Sequence, residues 1–301
     1  MAHLNGELFH WKKLNFVDVS CPLCGSDRHR LYERYGEEYQ YSYVSCRDCT
    51  FIFQNPRFEY NDDFLKWAYS WYGDEFIKET QGKGYPPQQG NGYFAFKKAL
   101  LDRFCEARPY RLLDVGCACG QFLSYCHGKN CISTGVETSE KQVEFARRYL
   151  PFEMICGTTA NMQGYSGVFD ATHIAHTLEH VPNPRQTLQE LVFLTKPGGI
   201  VFVEVPHAGS LKNYTDHLRA RYRLRKNTWK PGDFPEHLVE FTPQTLKRIM
   251  RSVGLEIVYF QSHSRSSMKK SKWVKQTDLL LNRVLNFGNN LVCIGRKPKS
   301  A

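Results

Sequence analysis

No run of 18 uninterrupted apolar residues occurs in the 301-residue sequence, so no membrane-spanning helix is expected. The opening residues, MAHLNGELFHWKK, lack the apolar core of a secretory leader, and a cytoplasmic protein is expected. Cysteine is too sparse for a disulfide scaffold: the 11 thiols are read as free in a reducing compartment. Also missing, at the glycine turn that dominates the chain, is the G-x-G-x-x-G pattern of a dinucleotide site. Negative charge is in short supply. A formal net charge of +10 favours anionic partners such as nucleic acid, phosphate-bearing substrates or acidic surfaces, without choosing among them.

What is present is ordinary for a globular protein, 42% apolar and 23% charged, and the length suits one full domain with a small accessory module. Cys21-Pro-Leu-Cys24 and Cys46-Arg-Asp-Cys49 are two CxxC knuckles, a pattern that suits a tetrahedral structural Zn²⁺ site. Four thiolates leave no open coordination position, so a catalytic metal is not expected there. His29 is the one nearby alternative ligand. The glycine- and proline-rich Gly82 to Gly92 is a linker or a flap. These features divide the chain into a zinc-ribbon module (1–60), an aromatic helix and linker (61–92), a core (93–206) and a covering segment with terminal strands (207–301).

The core is organised around Arg111 to Gly135. Leu112, Leu113 and Val115 read as a buried strand. The chain must turn at Gly116, a helix follows from Gly120, and a second strand ends at Glu137, about twenty residues on. Strand, glycine turn, helix, strand and acid at that separation are the layout of a nucleoside crevice, with the acid on the ribose hydroxyls. Further strands are expected at Phe152–Cys156, Phe169–Ala175 and Ile200–Val205, with Lys196–Gly199 as a tight turn into the last. Helices are expected over Ser139–Leu150, capped by Ser139, over Pro184–Thr195, and over Pro243–Val253, capped by Thr242.

The segment D-V-G-C-A-C-G (Asp114–Gly120) resembles motif I of class I S-adenosylmethionine-dependent methyltransferases, with Ala118 in place of a middle glycine. An acid at strand two, F-D before strand four, L-E-H-V, L-x-P-G-G and V-P follow in that family's order. The resemblance implies an α/β fold, a Rossmann-like seven-stranded sheet with a small N-terminal zinc ribbon. It also implies S-adenosylmethionine held by Asp114, Gly116, Cys117, Gly120, Glu137, Thr138, Thr158 and His176. The knuckles, F-Q-N-P-R and the Trp- and Tyr-rich stretch resemble the zinc module attached to a subgroup of these enzymes, in which a tyrosine reaches the cofactor or substrate; Tyr72, with Tyr69, is the candidate. His176–His180 also spells H-x-x-E-H, but at a strand exit and not on a helix, which excludes an inverted zinc-protease site. Some ubiquinone-pathway O-methyltransferases resemble this stretch and bind a divalent ion there; His176 in place of their first acid argues against Mg²⁺.

Methyl transfer to a hydroxyl needs alignment and a base near neutral pH. His180, His237 and His207 lie on loops expected at the carboxyl edge of the sheet, with Glu236 beside His237. The acceptor expected is a small molecule, a sugar or nucleotide-linked sugar of surface-glycan or natural-product biosynthesis, gripped by the arginine-rich stretch from Arg219 to Lys226. The alternative is ribosomal RNA, since CxxC ribbons also precede class I domains in RNA enzymes; against it, strand four does not end in N-P-P-Y or D-P-P-Y. The insertion between the last two strands could also meet a partner subunit, as in a homodimer.

Overall fold

A computed structural model describes residues 15–35, 41–59, 92–210, 237–264 and 288–299, with residues 3–4, 7–8, 74, 77–78, 80–81, 85, 211, 213 and 215. Tyr69, Tyr72, the arginines from Arg219 to Arg225, Glu236 and the insertion over 265–287 lie outside the described residues.

A short hairpin of β1 (His3–Leu4) and β2 (Glu7–Leu8) precedes β3 (Phe16–Val17). The knuckles then frame an antiparallel hairpin, β4 (His29–Tyr35) and β5 (Tyr41–Cys46), followed by β6 (Ile52–Gln54) and β7 (Arg57–Phe58). The core opens with α1 (Gly92–Phe104). It runs through β8 (Tyr110–Val115), α2 (Gln121–Cys126), β9 (Cys131–Glu137), α3 (Glu140–Arg147), β10 (Glu153–Cys156), β11 (Phe169–Ala175), α4 (Pro184–Leu194) and β12 (Thr195–Pro206). It closes with β13 (Val239–Glu240), α5 (Pro243–Ser252), β14 (Glu256–His263) and β15 (Asn290–Arg296).

The seven-stranded sheet has the order β10-β9-β8-β11-β12-β15-β14, parallel through β12 and antiparallel beyond it. Side chains alternate across it, as the two-residue period of a strand requires. Leu113, Val115, Ile174, Val201 and Val203 enter one core with α4 and α5, while Leu112, Ala171, Ile200 and Phe202 enter the other with α1 and α2. The knuckle cysteines Cys21, Cys46 and Cys49 share the first core with Phe51, Phe53, Leu178 and Leu238. The ribbon is thus packed into the sheet's own hydrophobic layer. Its sheet, β13-β6-β5-β4, also includes a strand from the far end of the chain.

Two local expectations differ from what forms. The P-G-G turn is absorbed into a continuous β12: Phe169 pairs with Thr195 and Ala171 with Ile200, so Lys196–Gly199 loop out opposite Asp170 alone. The Lys196 ammonium, 2.7 Å from Asp170, fastens that irregularity. Ser139 makes no side-chain cap hydrogen bond, its amide donates to Glu137, and the helix ends at Arg147. Thr242 does cap α5, its hydroxyl accepting from the Thr245 amide at 3.3 Å.

Candidate active site

At the end of β8 three residues have left-handed backbones: Gly116 (φ 68°), Ala118 (φ 51°) and Gly120 (φ 75°). A Cβ on Gly116 would sit 2.2 Å from the Thr177 hydroxyl, so two loops of the carboxyl edge meet at a point where only hydrogen fits. Gly116→Ala is expected to weaken cofactor binding roughly tenfold or more by calorimetry; an unchanged Kd would show that the turn does not shape the cofactor site. Ala118 is held in its unfavourable backbone region by Glu137, whose Oε2 accepts its amide at 2.9 Å. The other Glu137 oxygen accepts from the Thr138 hydroxyl (3.1 Å) and the Ser139 amide (3.0 Å). These three bonds leave the carboxylate about one further acceptor position of its usual four.

The other residues expected around the cofactor are placed as follows. Cys117 is buried against Gly135, where a Cβ would lie 2.7 Å from its sulfur, and burial pushes its thiol well up. Its side chain packs against β9 beside the turn. Thr158 is exposed at the start of a short 3₁₀ turn, its amide donating to Asn161 at 2.9 Å. Asp114 pairs with the buried His173 on the adjacent strand, oxygen to Nδ1 2.5 Å. Burial lowers the pKa of His173 and outweighs the pull of Asp114, so the ring is neutral.

His176 leaves β11 with φ 54°, and the residues after it form a turn, not a helix, in agreement with the rejection of a protease site. Its ring lies between two buried carboxylates, Nδ1 3.6 Å from Glu179 and Nε2 3.4 Å from Glu204. Burial alone would pull its pKa down; the two carboxylates outweigh that and raise it. Glu204 also accepts from Tyr93 (2.6 Å) and lies 3.0 Å from His263 Nε2. Glu179, 1% exposed, stays ionised although burial opposes it, because His176, His180 and His237 surround it.

Next to this cluster the His180 and His237 rings meet edge to face, centroids 4.8 Å apart. Donor atoms of Glu179, His180 and His237 all lie within 4.8 Å of one another. His237 Nδ1 is 3.2 Å from Glu240. Two imidazoles and a carboxylate could serve as a base or hold a divalent ion. His207 is not in this group: its Nδ1 faces the Gly288 carbonyl at 3.0 Å, and burial lowers its pKa. Glu179, Glu204, Glu240 and His263 were not anticipated, although a glutamate inside the apolar run I-V-F-V-E-V is itself a signal.

In the ribbon, the four knuckle sulfurs lie within 4.8 Å of one another, Cys21 to Cys49 at 3.4 Å and Cys24 to Cys46 at 3.6 Å. Ligands at ~2.3 Å from a tetrahedral zinc would be spaced on this scale. The two knuckles repeat one geometry: Gly25 (φ 77°) donates to the Cys21 carbonyl at 2.8 Å, and Thr50 (φ 64°) to the Cys46 carbonyl at 3.0 Å.

A methyltransferase-domain family profile matches residues 90–259, more than half of the chain. A ubiquinone biosynthesis O-methyltransferase of Dechloromonas aromatica is 33% identical over 165 residues, 52% of this chain and 68% of that protein. Another, from an Azoarcus species, is 27% identical over 165 residues, 52% of this chain and 69% of that protein. A chain from the complex of the Haloferax volcanii Trm112 methyltransferase activator with a methyltransferase superposes with a TM-score of 0.53. It is 17% identical and covers 80% of this chain and 100% of its own.

Proposed function

The chain belongs to the methyltransferase-domain family, and from that premise we propose that this S-adenosylmethionine-dependent enzyme methylates a hydroxyl on a small, ring-bearing acceptor, a sugar or nucleotide-linked sugar, with the His180–His237 pair as base. The observation that carries this reading is the convergence of Glu179, His180 and His237 at the sheet's carboxyl edge, where open α/β sheets bind ligands. S-adenosylmethionine supplies an electrophilic methyl carbon on a sulfonium sulfur. What remains for the protein is to orient the acceptor and remove its proton.

The His237 imidazole takes the acceptor's hydroxyl proton, and Glu240, 3.2 Å from Nδ1, stabilises the imidazolium that results. Glu179 adds a second fixed negative charge beside both rings. On the cofactor side the Gly116–Gly120 turn would allow close approach, and Glu137 would accept from the ribose hydroxyls. A hydroxyl acceptor accords with the relatives, which by name are O-methyltransferases. The four ribbon thiolates hold a structural zinc ion, tested by elemental analysis for one zinc per chain.

The acceptor is found by offering methyl-labelled S-adenosylmethionine with nucleotide sugars, glycan fragments, polyhydroxylated phenols and total RNA. Label is expected in an ether on a small-molecule hydroxyl. Label in RNA alone would replace this reading with that of an RNA enzyme.

A further inference from the structure

On top of the base reading above, we propose that the cysteine-knuckle ribbon is a positioning device for the two edge histidines, with Tyr43 and Arg57 as its positioning residues. The ribbon reaches the site through its own strands. Tyr43, fully buried on β5, donates its hydroxyl to the His237 carbonyl at 2.5 Å. The Gln54 amide donates to the Leu238 carbonyl at 2.9 Å, and Val239 and Glu240 pair with Phe53 and Ile52. Three links in succession therefore fix the backbone on which the His237 ring is mounted. Glu240, the carboxylate that faces the ring, rides on the same strand.

The second histidine is held through the first strand and from its other flank. The Leu238 and Val239 amides both point to the Glu179 carbonyl, at 2.8 and 3.2 Å, so the turn bearing Glu179 and His180 hangs on β13. Arg57, on β7, donates to the Pro182 carbonyl at 2.8 Å and pins the turn beyond His180. The knuckles set the start of β6: the Cys46 amide donates to the Phe51 carbonyl at 2.9 Å, and the Phe51 ring packs edge-on to Phe241 at 5.4 Å. A metal that fixes the sulfurs thereby fixes the strand that carries the base. Catalytic geometry tolerates little error, since a shift of about 1 Å in a reacting group costs on the order of a hundredfold in rate.

The test uses the full zinc-loaded chain and the conservative variants Tyr43→Phe and Arg57→Lys. Histidine labelled at Cε1 gives one proton–carbon resonance per ring, assigned by loss of a peak in His180→Gln, His237→Gln and His173→Gln. Tyr43→Phe is expected to displace the His237 resonance and its titration, and Arg57→Lys that of His180. The His173 resonance stays in place and the calorimetric Kd for S-adenosylmethionine stays within about twofold. Release of zinc by a chelator should reproduce the His237 displacement. Superimposable histidine spectra in both variants, or an unmoved His237 after zinc release, overturn the proposal. So does a His173 displacement with weakened cofactor binding in Tyr43→Phe, which marks general loosening. None of these readings needs an acceptor or a turnover, so failure of the hydroxyl-methylation reading is seen separately, in the label screen.

Discussion

Glu204→Leu is expected to lower the unfolding free energy by about 3–5 kcal/mol, the largest stability loss at any single position in the site. Glu204 is 0% exposed in the middle of β12, and its two oxygens serve Tyr93, His263 and His176. An apolar replacement removes all three partnerships at once: the buried His263 ring and the half-buried Tyr93 hydroxyl lose this acceptor, and His176 keeps only Glu179. Burial works against the carboxylate, but the contacts with His176 and His263 and the charges of His176 and Lys97 outweigh it and hold the group well below its ordinary value of 4.5. A depressed carboxylate adds stability above its unfolded pKa and loses it as the pH falls through the folded one. His176 has the opposite sign. Raised above its ordinary 6.5, it adds stability in full below that value and loses it as the pH rises through its folded pKa. The gap between wild type and variant should therefore be widest between about pH 4.5 and 6.5 and narrower near pH 8.5. Urea unfolding at pH 5.5 and 8.5 measures it; a gap under about 1 kcal/mol at pH 5.5 would mean that the network is loosely coupled to the fold.

Local chemistry was what the sequence made readable. The strand, glycine turn and helix from Tyr110 to Cys126 follow from a short apolar run and backbone angles that side chains resist, so they show in a handful of neighbouring residues. Thr242 could be read as a cap for the same reason, since its partner Thr245 is one turn away. Ser139 looks like a cap on the same local grounds, but its hydroxyl makes no cap hydrogen bond, and its amide donates to Glu137, whose other oxygen holds the turn at Ala118. Pairings across the sheet were out of reach. Asp114 stands out in the sequence as a candidate cofactor ligand, but its His173 partner shows only once the β8–β11 register is known. The contact of Tyr43 with His237 joins residues 194 apart and needs β13 to leave the terminal segment for the ribbon sheet. His180 and His237 read as loop histidines with Glu179 and Glu240 near them in sequence; their approach to 4.8 Å belongs to tertiary structure. His207, chosen on the same grounds, is engaged by the Gly288 carbonyl instead.

The other large effect is kinetic. His237→Gln is expected to lower kcat by about 10²–10⁴ while the cofactor's Kd holds, the range lost when a positioned general base is removed. Glutamine keeps much of the bulk and can still meet Glu240, so the fold of β13 is retained and the loss is assigned to proton removal. His180→Gln should cost less, because its ring lies edge-on to His237 and 3.9 Å from Glu179, a supporting position that still shapes the field. The two substitutions should be far from additive, as they act on one proton transfer. For the wild type the rate should rise with pH through the titration of the base, since only the neutral imidazole accepts the hydroxyl proton; in His237→Gln that acid limb should flatten. A His237→Gln enzyme whose kcat stays within about threefold, with the acid limb intact, would remove His237 as the base and leave Glu179 and His180 to do the work.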